Sequence, residues 1–129
     1  MATKVKILLF GPDHECQRVG GVLKEKLPVS RCSQEHHCMD DLEQLEKKLV
    51  DWEPTLLFVL ADGAEGMECV YRAKERKPAL PVFWFSDDRN FGIQSYRLDC
   101  AYFAPKPITE ETVESALRRC DHLGICYGR

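Results

Sequence analysis

Residues 81–107 read PVFWFSDDRNFGIQSYRLDCAYFAPKP, and this stretch decides the fold. It begins with an apolar run over Val82–Phe85 and ends with a second one over Ala101–Ala104, with a helix-length segment between them. Two short, wholly apolar runs at this spacing predict neighbouring parallel strands that are buried on both faces. The first strand ends at Ser86, and the second is followed by Lys106 between two prolines. Because ligands bind beyond the carboxyl ends of strands in an open α/β sheet, we expect both side chains at a functional edge.

The rest of the chain extends the same alternation of strand and helix. The apolar runs Lys4–Phe10 and Leu56–Leu60 predict two more buried strands, and Val29–Cys32 predicts a short one that polar residues from Ser33 onward end. Apolar residues at helical spacing predict a helix after each strand. In the second helix these residues are Met39, Leu42, Leu45 and Leu49. Residues 61–66, which follow the run Leu56–Leu60, predict a loop before the third helix. Five strands alternating with five helices predict an α/β fold with a doubly wound, five-stranded parallel sheet and right-handed crossovers.

Length and composition indicate one globular domain. The 129 residues, of which 44% are hydrophobic and 30% charged, predict a single unit over residues 1–122, followed by a connector or tail over 123–129. The formal net charge of −3 argues against a nucleic-acid or anionic-membrane surface on this domain. The longest apolar run, Leu56–Ala61, is far shorter than the about 20 residues of a membrane span, and no secretory signal pattern is present. We therefore expect a cytoplasmic protein.

The seven cysteines are an odd number, and four of them fall on or beside predicted apolar helix faces. These four are Cys16, Cys69, Cys100 and Cys120. Free cysteine packs there as a small hydrophobe, so this usage predicts reduced thiols rather than a disulfide framework. Cys32, His36, His37 and Cys38 bring metal-ligand types together, but their spacing matches no zinc pattern and predicts a polar loop. Cys38 and Cys126 are candidates for a redox-responsive thiol.

The segment that decides the fold also resembles a known family. Ser86 after one strand, Lys106-Pro107 after the next, and Phe103 three residues before the lysine resemble the receiver domain of two-component response regulators. The spacing from Ser86 to Lys106 is most similar to receivers of LytTR-type transcription regulators. The resemblance implies a flavodoxin-like fold in which an aspartate after strand three accepts a phosphoryl group from a histidine kinase, with magnesium held by acidic residues after strand one. It also implies that Ser86 hydrogen-bonds a phosphoryl oxygen, that Lys106 pairs with the phosphoryl charge, and that Phe103 moves with Ser86 as the switch.

The sequence departs from the family pattern at its acidic positions. After strand one it has Gly11-Pro12, and Asp13, the candidate metal ligand, comes one position late. The phosphoacceptor position falls on Leu60 or Ala61, depending on which flank is counted, and Asp62 is the nearest carboxylate. Asp62 is therefore the candidate phosphoacceptor, and a solvated Asp-Gly turn is the alternative interpretation. Because magnesium prefers carboxylate and water ligands, loss of the acidic pair predicts weak magnesium binding.

Three functions remain open at this point. The first is an atypical, non-enzymatic receiver with impaired or absent phosphorylation, which signals by conformational switching or by forming a homodimer through residues 89–120. A histidine kinase would be its candidate partner, and DNA would be contacted only through a downstream domain outside this chain. The second is a receiver in a phosphorelay that uses Asp62 with magnesium and catalyses only its own phosphorylation and dephosphorylation. The third is a small flavodoxin-like domain for a nucleotide or flavin, for which Gly11-Pro12-Asp13-His14 would be a poor phosphate-binding loop.

Overall fold

The computed structural model describes residues 3–26 and 32–122, and these residues form a single parallel sheet with helices on both faces. The strands are β1 (Thr3–Phe10), β2 (Cys32–Met39), β3 (Leu56–Val59), β4 (Val82–Ser86) and β5 (Tyr102–Pro105). The helices are α1 (Asp13–Lys26), α2 (Leu42–Asp51), α3 (Gly63–Arg76), α4 (Phe91–Arg97) and α5 (Glu110–His122). The strand order is β2-β1-β3-β4-β5, with every pair parallel. The predicted α/β class and doubly wound five-stranded sheet are confirmed.

Two apolar layers, one on each face of the sheet, explain the continuous apolar runs in the sequence. In β1, Ile7 and Leu9 belong to the layer that α1 and α5 cover, whereas Leu8 and Phe10 belong to the layer under α2 and α3. In β4, Phe85 faces the first layer and Trp84 the second. A central strand buried on both faces has no solvent side on which polar residues could alternate. Within the described residues, no helix has the length and apolar content that a membrane crossing requires.

The predicted position of the second strand is wrong. Most of the predicted segment lies outside the described residues, and β2 instead runs through the polar sequence CSQEHHCM, for which a loop was predicted. The strand pairs in parallel with β1 from Thr3↔Cys32 to Phe10↔Met39. Because β2 is the edge of the described sheet, one of its sides is open to water, and polar residues are tolerated there. Met39 therefore ends a strand and does not belong to the second helix.

The connection between β3 and α3 is shorter than predicted. A loop was expected over residues 61–66, but α3 begins at Gly63, so that residues 60–62 alone join the two elements. At Gly66 a Cβ atom would lie 2.2 Å from the carbonyl oxygen of Ala61, a distance that only glycine avoids. The helix therefore packs directly on the end of the strand. This close packing holds Asp62, the residue before α3, at the carboxyl edge of the sheet.

Candidate functional site

Lys106, the residue after β5, lies at the centre of a polar cluster at the carboxyl edge of the sheet. Its Nζ donates to the carbonyl oxygen of Leu60 at 2.7 Å and lies 2.5 Å from Glu15 Oε1 and 3.0 Å from Asp62 Oδ1. The side chains of Lys106 and Glu15 are only 12% and 14% exposed, whereas that of Asp62 is 45% exposed. One ammonium thus faces two carboxylates, of which one is enclosed and the other is open to solvent.

Close packing after β1 brings Glu15 to this edge. Gly11 has a φ of +152°, and a Cβ atom there would lie 2.9 Å from backbone atoms of both Leu60 and Ala61. The chain therefore passes directly over the end of β3 before α1 begins, and the first turn of α1 carries Glu15 to Lys106. A phosphate-binding loop needs open space in front of its backbone N–H groups. The closed packing at Gly11 gives no support to the nucleotide or flavin alternative.

Ser86 lies at the same edge as Lys106 and Asp62. It is fully buried, and its Oγ accepts a hydrogen bond from the backbone N–H of Asp88 at 3.2 Å. The neighbouring N–H of Asp87 donates to Asp62 Oδ1 at 3.1 Å, and the backbone N–H of Lys106 donates to the carbonyl oxygen of Ser86 at 2.8 Å. The turn after β4 therefore orients both Asp62 and Lys106. The structure thus brings the side chains of Asp62 and Lys106 into contact, and backbone hydrogen bonds hold the end of β4 at Ser86 beside them.

Asp13, the predicted metal ligand, is separate from this cluster. It is the exposed first residue of α1, and its Oδ2 accepts a hydrogen bond from Gln17 Nε2 at 2.9 Å. The acidic residue that reaches Lys106 is Glu15, which the sequence analysis did not select. A search for an acidic residue directly after β1 overlooks it, whereas counting along the first helical turn from Asp13 would have found it. Among residues 3–26 and 32–122, no three His, Cys, Asp or Glu side chains are grouped as metal ligands.

The cluster does not fit a magnesium ion well. Magnesium takes carboxylate and water oxygens at short distance and in near-octahedral geometry. Here the Lys106 ammonium already lies within 3.0 Å of both Glu15 and Asp62. A divalent cation at these carboxylates would be repelled by that charge. The Glu15 and Asp62 carboxylates are therefore partners of Lys106 rather than ligands for magnesium.

The two residues at the phosphoacceptor position of the resemblance are apolar and buried. Leu60 is fully buried in the layer under α1 and α5, and Ala61 is 2% exposed in the opposite layer. Leu60 contributes only its carbonyl oxygen to the cluster around Lys106. The end of β3 therefore contributes to the cluster through the Leu60 carbonyl oxygen and the Asp62 carboxylate.

Phe103, the predicted switch residue, packs beneath the cluster on an aromatic group. Its ring meets that of Trp84 edge to face at a centroid distance of 5.6 Å, and Phe91 from α4 stacks on Trp84 at 5.2 Å. Phe103 is half-buried. Trp84 is fully buried, and within the described part of the chain its Nε1 has no hydrogen-bond partner. These contacts connect the end of β5 to α4.

The expectation of reduced thiols is wrong for one pair of cysteines. Cys16 in α1 and Cys38 in β2 form a disulfide, with their Cα atoms 6.3 Å apart. The reason is the length of β2, which carries Cys38 to a position beside the first turn of α1 instead of leaving it in a loop. Burial raises the pKa of the Cys69 thiol well above its usual value, and it raises that of Cys100 to about 11. Cys126 lies outside the described residues.

Comparisons with known proteins give matches among solved structures. No family model matches the sequence, and no curated protein matches it. The CheY-like response regulator receiver domain protein from Methanospirillum hungatei has a TM-score of 0.75 and 14% identity, over 95% of this chain and 98% of that one. The receiver domain of nitrogen regulatory protein C has a TM-score of 0.71 and 17% identity, over 96% and 99% of the two chains.

A longer protein contains the same unit. NtrX from Brucella abortus, solved with ADP, matches with a TM-score of 0.74 and 21% identity, over 97% of this chain but only 28% of its own. At such identities the likeness concerns the backbone, and the sheet order and helix placement given above agree with it. The chain has the fold of the CheY-like receiver domains of response regulators.

Proposed function

We propose that this chain is an atypical receiver module of a two-component response regulator, with impaired or absent phosphorylation of an aspartate. The observation that carries the proposal is the state of Lys106, which is already paired with Glu15 and Asp62. Phosphoryl transfer needs a nucleophile, a divalent cation and fixed positive charge around the transferred group. At this edge the fixed cation is neutralised, and the position after β3 carries the buried Leu60.

Signalling in this proposal is a population shift between two arrangements of β4, α4 and Phe103. Ser86 and Phe103 lie on neighbouring strands, next to the Lys106 cluster and to the Trp84 aromatic group respectively. A ligand, a partner or self-association that prefers one arrangement would drive the shift. The spacing of Ser86 and Lys106 favours a LytTR-type regulator. We propose that this regulator is cytoplasmic and contacts DNA through a domain downstream of this chain.

The proposed partner surface lies within residues 89–120. On α4, Ile93 is 63% exposed and Tyr96 is 87% exposed, so two large apolar side chains face solvent on one short helix. Exposed apolar groups that lie close together are typical of interaction sites. We assign to this surface either a second copy of the chain or a histidine kinase.

A second candidate function is phosphoacceptance at Asp62. The observation in its favour is that Asp62 Oδ1 lies 3.0 Å from Lys106 Nζ while the side chain stays 45% exposed. A carboxylate nucleophile beside a fixed cation, and accessible to a phosphodonor, meets two of the three requirements of the chemistry. The third, a metal site, would have to form when the donor binds.

Intact-mass measurement after incubation with acetyl phosphate and magnesium separates these candidates. The first proposal expects an unchanged mass under saturating donor. A gain of one phosphoryl group that Asp62→Asn abolishes and Asp87→Asn retains would establish the second. A gain that persists in Asp62→Asn would contradict both, because the acceptor would then be another residue. Circular dichroism of each variant verifies that it is folded.

A further inference from the structure

The disulfide between Cys16 and Cys38 joins the first turn of α1 to the end of the edge strand β2. Its two cysteines differ in access, because Cys16 is 3% exposed whereas Cys38 is exposed. Their sequence separation of 22 takes in the whole of α1 after its first turn. The covalent link therefore fixes the start of a helix to a strand that is otherwise held from one side in the described sheet.

We propose that this pair is a thiol-exchange site that regulates the Lys106 cluster, with Cys38 as the sulfur that a small thiol or a reduced dithiol protein attacks. In the first step the incoming thiolate forms a new S–S bond with Cys38 Sγ, and the Cys16–Cys38 bond breaks. The bonding electrons pass to Cys16 Sγ, which takes up a proton. A second thiol then attacks the mixed disulfide, so that Cys38 is released as a thiol and the reductant leaves as its own disulfide. Two thiols of the reductant are oxidised and both cysteines are reduced.

Exchange depends on an accessible sulfur and on thiolate character. The buried Cys69 and the half-buried Cys100 are unsuited to it, because burial raises the pKa of both thiols. Cys38, on the polar edge strand, has the open approach that those residues lack. Within the described residues, access to solvent distinguishes Cys38 from its disulfide partner and from both of these thiols.

The disulfide lies next to the candidate site along the chain. Cys16 directly follows Glu15, whose carboxylate holds Lys106. Two hydrogen bonds also join this part of the chain to β2: the N–H of Gly11 donates to the carbonyl oxygen of Met39 at 2.9 Å, and Gln34 Nε2 donates to the carbonyl oxygen of Leu23 at 3.2 Å. Reduction removes the covalent constraint on the first turn of α1 and leaves these hydrogen bonds. Reduction therefore loosens the contact between Glu15 and Lys106. The regulatory meaning of this change rests on the proposed function of the cluster.

The exchange step is tested on the oxidised wild-type protein. It is treated briefly with reduced glutathione, quenched in acid with denaturant and N-ethylmaleimide, and mapped by peptide mass spectrometry. The expected single-adduct species carries glutathione on Cys38 and maleimide on Cys16, in excess over the reverse species by on the order of tenfold. Equal amounts of the two species, or an excess of the reverse one, would overturn the assignment of Cys38. Circular dichroism in the same buffer verifies that the protein stays folded during the treatment.

The coupling step is tested by acetic anhydride labelling of lysines in oxidised and reduced protein. Labelling of Lys106 should rise several-fold on reduction, while labelling of Lys26, which pairs with Glu114 at the other end of α1, should stay the same. In the oxidised protein, Glu15→Gln should raise Lys106 labelling without any reductant. Unchanged Lys106 labelling in fully reduced protein would overturn the coupling. Neither measurement uses a phosphodonor, so their failure is distinguishable from a failure of the proposed function.

Discussion

Three acceptors from two parts of the chain converge on the ammonium of Lys106. The Glu15 carboxylate and the Leu60 carbonyl lie on its enclosed side, and the Asp62 carboxylate lies toward solvent. The sequence identifies Lys106 and Asp62, because both directly follow apolar strands. It did not identify Glu15, since the direction of a side chain in the first turn of α1 depends on how the chain crosses Gly11. That crossing is a matter of packing against β3, which no local pattern contains.

Removal of the Lys106 charge should leave the enclosed Glu15 carboxylate unpaired. We expect Lys106→Met to lower the free energy of unfolding by about 2 kcal/mol, because a nearly buried carboxylate without its partner is costly. Glu15→Gln in the same chain should restore part of that loss, while Asp62→Asn should restore little, since Asp62 can hydrate. Urea unfolding of the single and double variants gives these values. Additive effects of Lys106→Met and Glu15→Gln would contradict a direct pairing.

His36 in β2 should make stability depend on pH. Burial, with a further contribution from the charge of Lys24, lowers the pKa of His36 to about 4 from its usual value of 6.5. The folded state thus binds fewer protons than the unfolded state between these values, so stability should be fully present above about pH 6.5 and should decline as the pH falls toward 4. Urea unfolding from pH 7 to pH 4 measures this decline. His36→Gln should flatten it, whereas the exposed His14→Gln should not, and an equal slope in both variants would refute the assignment.

At the scale of elements, the strands differ in how far the sequence predicts them. β1, β3 and β4 are correct in position to within one or two residues, because burial on both faces demands an uninterrupted apolar run. β2 was misplaced, since an edge strand is specified by pairing with its neighbour more than by its own composition. The start of α3 was placed late for a similar reason: the contact of Gly66 with Ala61 is tertiary. Local periodicity thus predicts the apolar strands, including β5 at the other edge of the described sheet, and it fails for the polar edge strand β2. The predicted burial of β5 on both faces is wrong, because this edge strand is only partly buried.

The link between α1 and β2 should contribute measurably to stability. Opening the Cys16–Cys38 bond releases a loop of 22 positions in the unfolded chain, for which the chain-entropy model gives about 3 kcal/mol. We therefore expect Cys38→Ser to lower the free energy of unfolding by about this amount relative to the oxidised wild type. With excess reductant present, the variant and the wild type should unfold at nearly the same denaturant concentration. A difference that persists under reduction would indicate a packing role for the sulfur instead.

For the whole molecule, the sheet order and helix placement follow from the βα alternation, and the backbone likeness to receiver domains agrees with them. Function follows less directly, because the same sheet edge can hold different chemistry. In the proposed function, three residues that the fold brings together decide it: Glu15, Asp62 and Lys106. The proposed partner surface also concerns the whole molecule, because its exposed side chains have a role only when another protein binds to them.

Self-association should depend on the exposed α4 residues. If this surface joins two copies, sedimentation velocity across a concentration series should detect a dimer that Tyr96→Glu weakens at least several-fold, because a charge is costly in an apolar contact. Val50→Glu is the matched control, since Val50 is similarly exposed on α2, outside the proposed surface. If the protein is monomeric at all concentrations, the surface does not join two copies and a different protein is its partner. Equal weakening by both variants would contradict the location.

The aromatic group around Trp84 supplies this protein with its own optical probe. The chain has two tryptophans, and the other one, Trp52, stacks on His37 at a ring distance of 3.9 Å on the far edge of the sheet. Indole emission responds to the polarity around the ring, and the Trp84 ring is enclosed by Phe91 and Phe103. A rotation of Phe103 toward solvent would admit water beside that ring and displace its emission to longer wavelength. With Trp52→Phe removing the background signal, an unlabelled sample would report in real time which stimulus moves this residue.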